Sequence, residues 1–333
     1  MTVINGIEID FINVPVDETK VAILNNEPIE AKLHVIAVIS NPCQFARRFI
    51  LAREFAKRME REQNIVLYFV ELAYGTDDFQ VTDPKNKRHL QLRGTTPLWH
   101  KENMINIGVK KLLPPTWKAF AWIDADIEFE STTWASDTLK VLNGYKDIVQ
   151  LFSHCVDMDK RQNAMGIMPS FGFQYVKKRP YGGTGINMWH PGYAWACTRR
   201  AYEKMGGLYD LSILGAGDHN MSFSLLGKGV DSVNVGATDD YKDSIRAFED
   251  GANGLRLGYV PGVIRHHFHG LKKNRKYMER WRILVDNAYS PKDYMTKNKD
   301  GLLVPTAACP QKILDDILKY FKERNEDEGY AHN

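Results

Sequence analysis

Three runs of mainly apolar residues, separated by stretches with helical spacing, constrain the fold of this chain more than any other feature. The runs cover 34–39, 65–72 and 119–123. Continuous runs of this kind are typical of strands that are buried on both faces of a parallel sheet. A helical pattern from 42 to about 63 connects the first two runs, so the main domain begins as a β-α-β unit. The pattern therefore predicts an α/β fold with a mostly parallel central sheet.

The remaining sequence predicts where further elements begin and end. Asn41 is expected to cap the first helix and Pro42 to be its first residue, because these residue types favour those positions. Residues 77–97 are polar and interrupted by prolines, which indicates a loop with at most a short hairpin. Further helices are predicted over 98–113, 132–143, 198–205, 218–226, 272–286 and 310–324, and further strands over 147–152 and within 257–269.

Changes in composition divide the 333 residues into three parts. Residues 1–30 alternate apolar and polar positions around an Asn-Gly pair, which predicts a β-rich extension. Residues 31–290 are expected to form the main, catalytic domain. Within it, 160–193 is rich in glycine and aromatic residues and lacks helical spacing, which is typical of a lid or an acceptor loop. Residues 291–333 are expected to add a C-terminal helix and a tail.

The charge and the cysteines exclude several functional classes. Forty-four basic and 41 acidic residues give a formal net charge of +3, which forces neither a nucleic-acid nor a membrane partner. The four cysteines are far apart and form no CxxC pair, which argues against a zinc ribbon and fits a reducing compartment. We expect no signal peptide and no membrane span, and hence a cytoplasmic location. GxGxxG, GxxxxGKS/T and GxSxG motifs are absent, which argues against nicotinamide, P-loop and α/β-hydrolase enzymes.

The strongest local signal for chemistry is a pair of acids at the end of the third apolar run. Asp124 and Asp126 directly follow 119–123 and are separated by one residue. Ligands of open α/β sheets bind outside the carboxyl ends of the strands, where acidic groups need a cation, a donor or water. A divalent ion bridged to phosphate oxygens meets this need. A turn that contains two acids by chance is the plainer interpretation.

Three histidines late in the main domain are further candidate metal ligands. His266, His267 and His269 fall within four residues. In a strand, His267 and His269 would share one face and His266 would lie on the other. Imidazole completes mixed nitrogen and oxygen sites for Mn, Fe or Zn. The alternative is a polar surface turn or a pair of hydrogen-bonded core histidines.

Cations and a third acid would suit a site that handles phosphate. Lys272, Lys273 and Arg275 follow the histidines and could neutralise a diphosphate, although a solvated helix face explains each of them as well. Asp218 follows a glycine-rich stretch and opens a predicted helix. It is expected to be the N-cap of that helix, and capping alone would account for an aspartate there.

Aromatic and basic residues in and after 160–193 are candidates for contacts with a second substrate. Glycine and aromatic residues together suit the wall of a sugar site as well as an ordinary core. Stacking rings and nearby cations would also suit a nucleobase and its phosphates. The candidates are Trp189, His190, Tyr193 and Trp195, together with Lys177, Lys178 and Arg179.

Taken in order, the motifs resemble a GT-A fold glycosyltransferase over residues 33–285. The resemblance implies a Rossmann-like three-layer fold with a mostly parallel central sheet and a catalytic role for the main domain. The resemblance is closest to the family 2 type and the β-1,4-galactosyltransferase type. It rests on a first strand that ends in Ser-Asn-Pro, the helix LWHKENMINIGVKKL, the Asp-X-Asp strand, the Gly-Asp helix start, and Ile-Arg-His followed by Lys-Lys-Asn. The sequence departs from the galactosyltransferase pattern at Gly217, where an acidic residue usually precedes the catalytic base.

The resemblance implies a role for each matching residue. Asp126 would bind the metal directly, and Asp124 would bind the nucleotide ribose or a metal-bound water. His266 matches the metal-binding histidine of the family, with His267 and His269 as alternatives. The residues implied in binding the nucleotide sugar are Ser40, Asn41, Pro42, Glu71, Lys101, Asn103, Asp124, Lys272, Lys273 and Arg275.

The activity implied by the resemblance is transfer of a sugar from a nucleotide-diphosphate sugar to an acceptor hydroxyl. A UDP-sugar donor and Mn²⁺ or Mg²⁺ as cofactor are expected. Asp218 matches the catalytic base and would remove the acceptor proton, so that the anomeric configuration inverts. The cations would stabilise the leaving diphosphate. A soluble bacterial, phage or viral form of the family is expected.

Other functional classes stay open on the sequence alone. A nucleotidyltransferase acting on sugar phosphates would use the same carboxylates and metal, but would attack the α-phosphorus. A metallohydrolase would use the His-X-His pair, and a non-catalytic sugar-binding protein would not need three acids. The acceptor is open between a glycan, a protein and a hydroxymethylated base in DNA. The oligomeric state is not indicated.

Overall fold

The computed structural model describes residues 2–4, 7–9, 17–183 and 187–329. The strands are β1 (Thr2–Ile4), β2 (Ile7–Ile9), β3 (Leu33–Ser40), β4 (Ile65–Tyr74), β5 (His89–Gly94), β6 (Ala119–Ile123), β7 (Ile127–Phe129), β8 (Ile148–Gln150), β9 (His154–Met158), β10 (Ala164–Pro169), β11 (Ala194–Thr198), β12 (Leu257–Tyr259), β13 (Val263–His266), β14 (Met295–Lys297) and β15 (Leu303–Pro305). The helices are α1 (Glu18–Asn25), α2 (Ala46–Met59), α3 (Lys101–Leu112), α4 (Trp134–Val141), α5 (Phe171–Val176), α6 (Arg199–Met205), α7 (Gly217–Ser224), α8 (Asp239–Ala252), α9 (Trp281–Asp286), α10 (Pro291–Tyr294) and α11 (Gln311–Glu323), with 3-10 turns at Gly229–Ser232 and Lys272–Arg275.

A seven-stranded sheet of order β12-β8-β11-β6-β3-β4-β5 forms the centre of the protein. Neighbouring strands run parallel, except that β11 is antiparallel to both β8 and β6. The three apolar runs that dominate the sequence become β3, β4 and β6, side by side in this sheet. The predicted α/β class with a mostly parallel central sheet is therefore confirmed.

Apolar side chains pack on both faces of the central sheet. Along β3, Ile36 belongs to one core and Val35 to the other, because successive side chains of a strand point to opposite faces. Helix α3 contributes Met104 to the first core. Helices α2 and α4 contribute Phe55 and Trp134 to the second core. Helices thus cover both faces, which gives the predicted three layers.

A smaller sheet of order β10-β9-β13-β7 brings the histidine segment to the end of β6. Three residues separate β6 from strand β7, which pairs antiparallel with β13, so that Ile127 lies opposite His266. Strand β13 also runs parallel to β9, where His266 lies opposite Asp157. This register places the late histidines beside Asp126.

The helix after β3 begins later than its sequence predicts. Its N-cap is Phe45 and it starts at Ala46, so the expectation of a start at Pro42 is wrong. The side chain of Asn41 accepts a hydrogen bond from the Phe45 amide at 3.1 Å and donates to the Phe45 carbonyl at 2.8 Å. The first two amides of α2 donate to Asp327, at 2.9 and 2.8 Å. A residue from the far end of the chain therefore replaces the predicted local cap.

Several segments hold more regular structure than predicted. The polar segment 77–97 contains β5, which pairs parallel with β4 at the edge of the sheet. Edge strands tolerate polar side chains, so β5 lacks the continuous apolar run by which the other strands were predicted. The segment 160–193 contains β10 and α5, and the N-terminal extension contains α1. The predicted Asn-Gly turn at 5–6 lies outside the described residues.

The C-terminal part differs from its prediction in one segment. Residues 272–286 form a 3-10 turn and then α9, separated by 276–280, and do not form one continuous helix. Residues 324–329 follow α11, and Glu326 within them is buried. Glu326, in the part of the chain predicted as a tail, lines the candidate pocket.

Candidate active site

A pocket opens at the carboxyl ends of β3 and β6, where α/β sheets usually bind ligands. Acidic, basic and aromatic side chains share this single cavity. The acids are Asp124, Asp126 and Glu326, the basic residues are Arg48, Lys101, Arg275, Arg324, His266 and His269, and the aromatic residues include Phe45, Trp99, Tyr193 and Phe321.

Asp126, His266 and His269 form a cluster whose ligand atoms all lie within 4.8 Å of one another. His269 Nε2 lies 3.1 Å from Asp126 Oδ2 and 3.3 Å from His266 Nε2. Asp126 Oδ1 is buried and has no hydrogen-bond partner among the described residues. One carboxylate and two imidazole nitrogens are a mixed donor set that suits divalent ions such as Mn²⁺, Fe²⁺ or Zn²⁺.

Each histidine of this cluster meets a carboxylate at its other ring nitrogen. His266 Nδ1 lies 2.7 Å from Asp157 Oδ1, and His269 Nδ1 lies 3.2 Å from Glu326 Oε2. Because a carboxylate accepts, each Nδ1 carries the proton and each Nε2 carries a lone pair. Two lone pairs and a carboxylate oxygen therefore converge, which is an arrangement that calls for a cation.

The charge states of Asp126 and His266 are those that bind a metal. Burial raises the pKa of Asp126, but its contacts with His269, His266 and Arg275 outweigh burial and hold this pKa below its ordinary value. Burial lowers the pKa of His266 despite its bond to Asp157. An ionised carboxylate and a neutral imidazole are the forms that coordinate metal ions.

His267 lies outside the cluster. Its amide donates to the Asp126 carbonyl at 2.8 Å, and its ring faces Gln162 at 3.1 Å and Glu128 at 3.3 Å. Strand β13 ends at His266, so the strand alternation that predicted a shared face for His267 and His269 is wrong. The chain turns after the strand and brings His269 back toward His266.

Lys101 joins two of the three predicted acids. Its Nζ lies 2.6 Å from Asp124 Oδ1 and 2.9 Å from Asp218 Oδ2. Burial lowers the pKa of Lys101, but the two carboxylates outweigh burial and hold the pKa well above its usual range. Burial raises the pKa of Asp124 to about 6, against the effect of Lys101. Asp124 thus faces an ammonium group and lies outside the cluster of Asp126, His266 and His269.

Asp218 lies in the first turn of α7, as its second residue. The N-cap is Ala216, at a left-handed φ of 83°, so the prediction that Asp218 caps the helix is wrong. Its Oδ2 atom accepts from Lys101 and lies 3.7 Å from the position a Cβ on Gly192 would take. A carboxylate is favoured at this end of a helix by the helix dipole.

Three arginines line the pocket beside the metal cluster. The guanidinium of Arg275 donates to His269 Nε2 at 2.8 Å. Arg48 donates to both carboxylate oxygens of Glu326, at 3.1 and 2.9 Å, and Arg324 lies 5.2 Å above the centre of the Trp99 ring. This concentration of guanidinium groups suits a diphosphate.

The predicted nucleotide-binding residues divide into those in the pocket and those outside it. Ser40, Asn41, Pro42 and Lys101 line it, as does Arg275. Those outside have other partners or face solvent. The carboxylate of Glu71 accepts from the amides of Gln80, Val81 and Thr82. The side chain of Asn103 forms hydrogen bonds with Asp210, Gly301 and Leu303. Lys272 pairs with Asp157 at 2.7 Å, and Lys273 is exposed.

The predicted acceptor residues divide in the same way. The rings of His190 and Tyr193 stack at 4.2 Å, and Tyr193 lines the pocket. Trp189 is half-buried and packs on Tyr181 at 5.6 Å. Trp195 is fully buried in the core, so its predicted contact with an acceptor is wrong. In the basic group, Lys177 pairs with Asp17 at 3.2 Å, while Lys178 and Arg179 are exposed and do not line the pocket.

Five residues of the site were not predicted from the sequence. Most of their contacts in the site are with residues distant along the chain, which local spacing does not reveal. The five residues are Arg48 on α2, Glu102 on α3, Asp157 on β9, and Arg324 and Glu326 after α11.

Comparisons with known proteins add loose structural likenesses. No protein-family model and no curated protein matches the chain. A Drosophila β-1,4-galactosyltransferase 7 mutant in complex with manganese, UDP-Gal and xylobiose is 12% identical, with a TM-score of 0.38, over 86% of this chain and 98% of that chain. A Desulfovibrio desulfuricans protein named as a nucleotide-diphospho-sugar transferase is 10% identical, with a TM-score of 0.32, over 71% of this chain and 82% of that chain. At these TM-scores the superpositions are loose, and function has to be inferred from the residues of this chain.

None of the helices in the described ranges combines the length and the apolar character needed to span a bilayer. The four cysteines at 43, 155, 197 and 309 are all free thiols.

Proposed function

We propose that this protein is a divalent-metal-dependent glycosyltransferase that uses a nucleotide-diphosphate sugar, with a UDP-sugar favoured. The observation that carries the proposal is the convergence of Asp126, His266 and His269 in one pocket with three arginines and with Lys101. Lys101 in turn pairs with the carboxylate of Asp218 at 2.9 Å. A metal, a phosphate-binding group and a separate carboxylate are the three parts that such a transfer needs. We further propose that the catalytic unit extends past 290, since Glu326 lies in the site.

The residues fit the expected Mn²⁺ or Mg²⁺. Asp126, His266 and His269 would hold the ion, and the unpartnered Oδ1 of Asp126 supports this assignment. Imidazole ligands favour Mn²⁺ over Mg²⁺, because Mg²⁺ prefers oxygen donors. When bound, the ion supplies positive charge that neutralises the diphosphate.

The arginines of the pocket would bind the diphosphate and stabilise it as it leaves. Arg275 and Arg324 face the same cavity as the metal cluster. Charge-assisted hydrogen bonds from guanidinium groups are stronger than neutral ones, and donors fixed before the reaction stabilise the charge that develops on the leaving group. Ser40 and Pro42, which line the cavity at the end of β3, would contact the nucleotide.

Asp218 would act as the general base for the acceptor hydroxyl. Lys101 fixes its position through the 2.9 Å ion pair and bridges it to Asp124. A base on the acceptor side and a leaving group bound on the donor side require attack from opposite faces of the anomeric carbon. We therefore propose that transfer inverts the anomeric configuration.

We propose a glycan as the acceptor. Aromatic rings adjoin Asp218 through α7: His219 lies 4.4 Å from Phe223, and Tyr181 lies 5.6 Å from both Phe223 and Trp189. More than half of Tyr181 is exposed. Rings with a polar edge and an apolar face suit the stacking of a sugar.

Modified DNA is the competing acceptor. The basic group at 177–179 does not line the pocket, and Lys177 is paired with Asp17, which favours the glycan. The salt dependence of transfer distinguishes a DNA acceptor from a glycan acceptor, because phosphate contacts make binding to DNA strongly salt-dependent. Transfer rates that fall steeply with salt on duplex substrate would favour DNA, and flat rates on a glycan would favour our proposal.

The location of the protein is proposed from its thiols. All four cysteines are free, which fits a reducing compartment such as the cytoplasm of a bacterial cell or an infected host cell.

A panel of nucleotide sugars incubated with the protein and Mn²⁺ tests the proposed function. We expect release of a nucleoside diphosphate that depends on Mn²⁺ and increases when an acceptor glycan is added. Release of pyrophosphate would instead identify a nucleotidyltransferase. No turnover with any donor would refute the proposal.

A further inference from the structure

We propose that Glu326 is a positioning residue for His269, so that the docked C-terminal segment 324–329 is a required part of the metal site. This inference rests on the proposed function only in taking Asp126, His266 and His269 as the metal ligands. It assigns an active-site role to residues that follow the last helix of the described chain.

Glu326 holds one tautomer and one orientation of the His269 ring. Its Oε2 atom lies 3.2 Å from His269 Nδ1, and the side chain is 2% exposed. Arg48 and Arg324 both donate to the Glu326 carboxylate. Held by two guanidinium groups, the carboxylate faces Nδ1 and turns Nε2 of the ring toward Asp126 and His266.

Asp157 contacts the Nδ1 atom of His266 as Glu326 contacts that of His269, so both histidines have a carboxylate partner. The Asp157 Oδ1 atom lies 2.7 Å from His266 Nδ1, and its Oδ2 accepts from Lys272 at 2.7 Å. Two histidines with carboxylates behind them direct both Nε2 atoms toward Asp126. Partners of this kind orient metal-binding histidines and raise the basicity of their rings.

The segment is fixed by contacts on both sides, so that its position is specified. Asp327 accepts from the first two amides of α2, at 2.9 and 2.8 Å. Gly270 has a left-handed φ of 80°, and a Cβ there would lie 2.9 Å from the Cα of Glu326. The side chain of Asn274 donates to the Arg324 carbonyl at 3.3 Å. Residues adjoining the histidine segment therefore accommodate the C-terminal segment closely.

Arg324 gives the same segment a second contact with the pocket. Its guanidinium is buried, lines the cavity and lies over Trp99. Docking of 324–329 therefore places one side chain behind a metal ligand and another in the cavity itself.

The test is Mn²⁺ affinity of the full-length protein without any donor, measured by electron paramagnetic resonance. In Glu326→Gln we expect the affinity to fall by roughly 10- to 100-fold, which is the effect of losing such a partner in other metal sites. The matched control is Glu323→Gln, an exposed glutamate three residues earlier that pairs with Lys276. Its Mn²⁺ affinity should equal that of the wild type. Circular dichroism establishes that each variant is folded.

Asp327→Ala keeps the test decisive if Glu326→Gln does not fold. This variant removes the anchor on α2 and leaves Glu326 and His269 intact, so we expect weaker Mn²⁺ binding. Folded Glu326→Gln with wild-type affinity would overturn the inference, as would wild-type affinity in Asp327→Ala when the first variant is unfolded. Failure of the wild-type protein itself to bind Mn²⁺ would instead overturn the proposed function.

Discussion

The carboxyl group of Glu102 occupies the space that a side chain at Gly217 would need. A Cβ on Gly217 would lie 2.3 Å from Glu102 Cδ, and Glu102 is 5% exposed. In the galactosyltransferase pattern an acidic residue precedes the base, and this chain departs from that pattern with Gly217. Here the acid beside Asp218 comes from α3, one residue after the lysine that binds Asp218.

Gly217→Ala should therefore disturb the base without affecting the metal cluster. The new methyl group displaces Glu102 and the start of α7, which carries Asp218. We expect a loss of transfer of roughly 100-fold, as small displacements of reacting groups produce, with Mn²⁺ affinity unchanged. Steady-state transfer and a metal titration measure the two effects. The control is Gly166→Ala, where a Cβ meets no atom within 4 Å. Equal transfer by both variants would contradict this account.

Glu102 should make the stability of the protein depend on pH. Burial raises the pKa of Glu102 to about 8, against the effect of Lys101. Between about pH 4.5 and pH 8 the unfolded chain loses this proton while the folded protein keeps it, so stability falls as pH rises, by at most about 1.4 kcal/mol per pH unit. Urea denaturation across this range should show a shallower fall for Glu102→Gln than for the wild type. Exposed Glu279→Gln is the control, and identical slopes for all three proteins would count against the buried acid.

Asp218→Asn should separate donor binding from transfer. The amide keeps the shape of the side chain but cannot take a proton, so transfer should fall by roughly 100- to 10,000-fold. Affinity for the nucleotide sugar should persist, because Lys101 keeps its ion pair with Asp124. Calorimetry measures affinity for the nucleotide sugar, and product formation measures transfer. Asp250→Asn, an exposed carboxylate on α8, is the control. Near-normal transfer by Asp218→Asn would refute its role as base.

Arg275→Met should change metal and nucleotide affinity in opposite directions. The guanidinium donates to His269 Nε2 at 2.8 Å, so it competes with a metal for that lone pair and also repels the ion. Without a donor, Mn²⁺ should bind the variant more tightly than the wild type. UDP should bind about tenfold more weakly or worse, since a charged hydrogen bond is lost. Arg282→Met, at a side chain 80% exposed, is the control. Unchanged affinities for both ligands would place Arg275 outside the site.

The strands and the first two acids were predictable because their signals are local. Apolar runs mark β3, β4 and β6, and parallel strands end at one edge of a sheet, so Asp124 and Asp126 had to lie there. The resemblance implied a role in nucleotide binding for Glu71, near the end of β4, but Glu71 does not line the pocket. The carboxylate of Glu71 satisfies three amides of the following loop, a local role that no spacing distinguishes from ligand binding.

The partners of the histidines were not predictable, because they depend on tertiary contacts. Glu326 lies 57 residues from His269 along the chain, and Asp157 lies 109 residues from His266. The pairing of His266 with His269 depends on where β13 ends, and the end of a strand is set by its neighbours β7 and β9. The clustering of three histidines within four residues therefore identified candidate ligands, but not the two that converge.

Binding of Mn²⁺ measured with and without UDP, in the wild type and in Asp126→Ala, tests the central claim most directly. The claim is that Asp126, His266 and His269 hold a divalent ion next to the diphosphate. We predict that UDP raises the Mn²⁺ affinity of the wild type by roughly tenfold or more. Asp126→Ala should lose both the binding and the effect of UDP, whereas the exposed-site control Asp250→Ala should keep both. Equal Mn²⁺ affinity in the wild type and Asp126→Ala, with or without UDP, would contradict the claim.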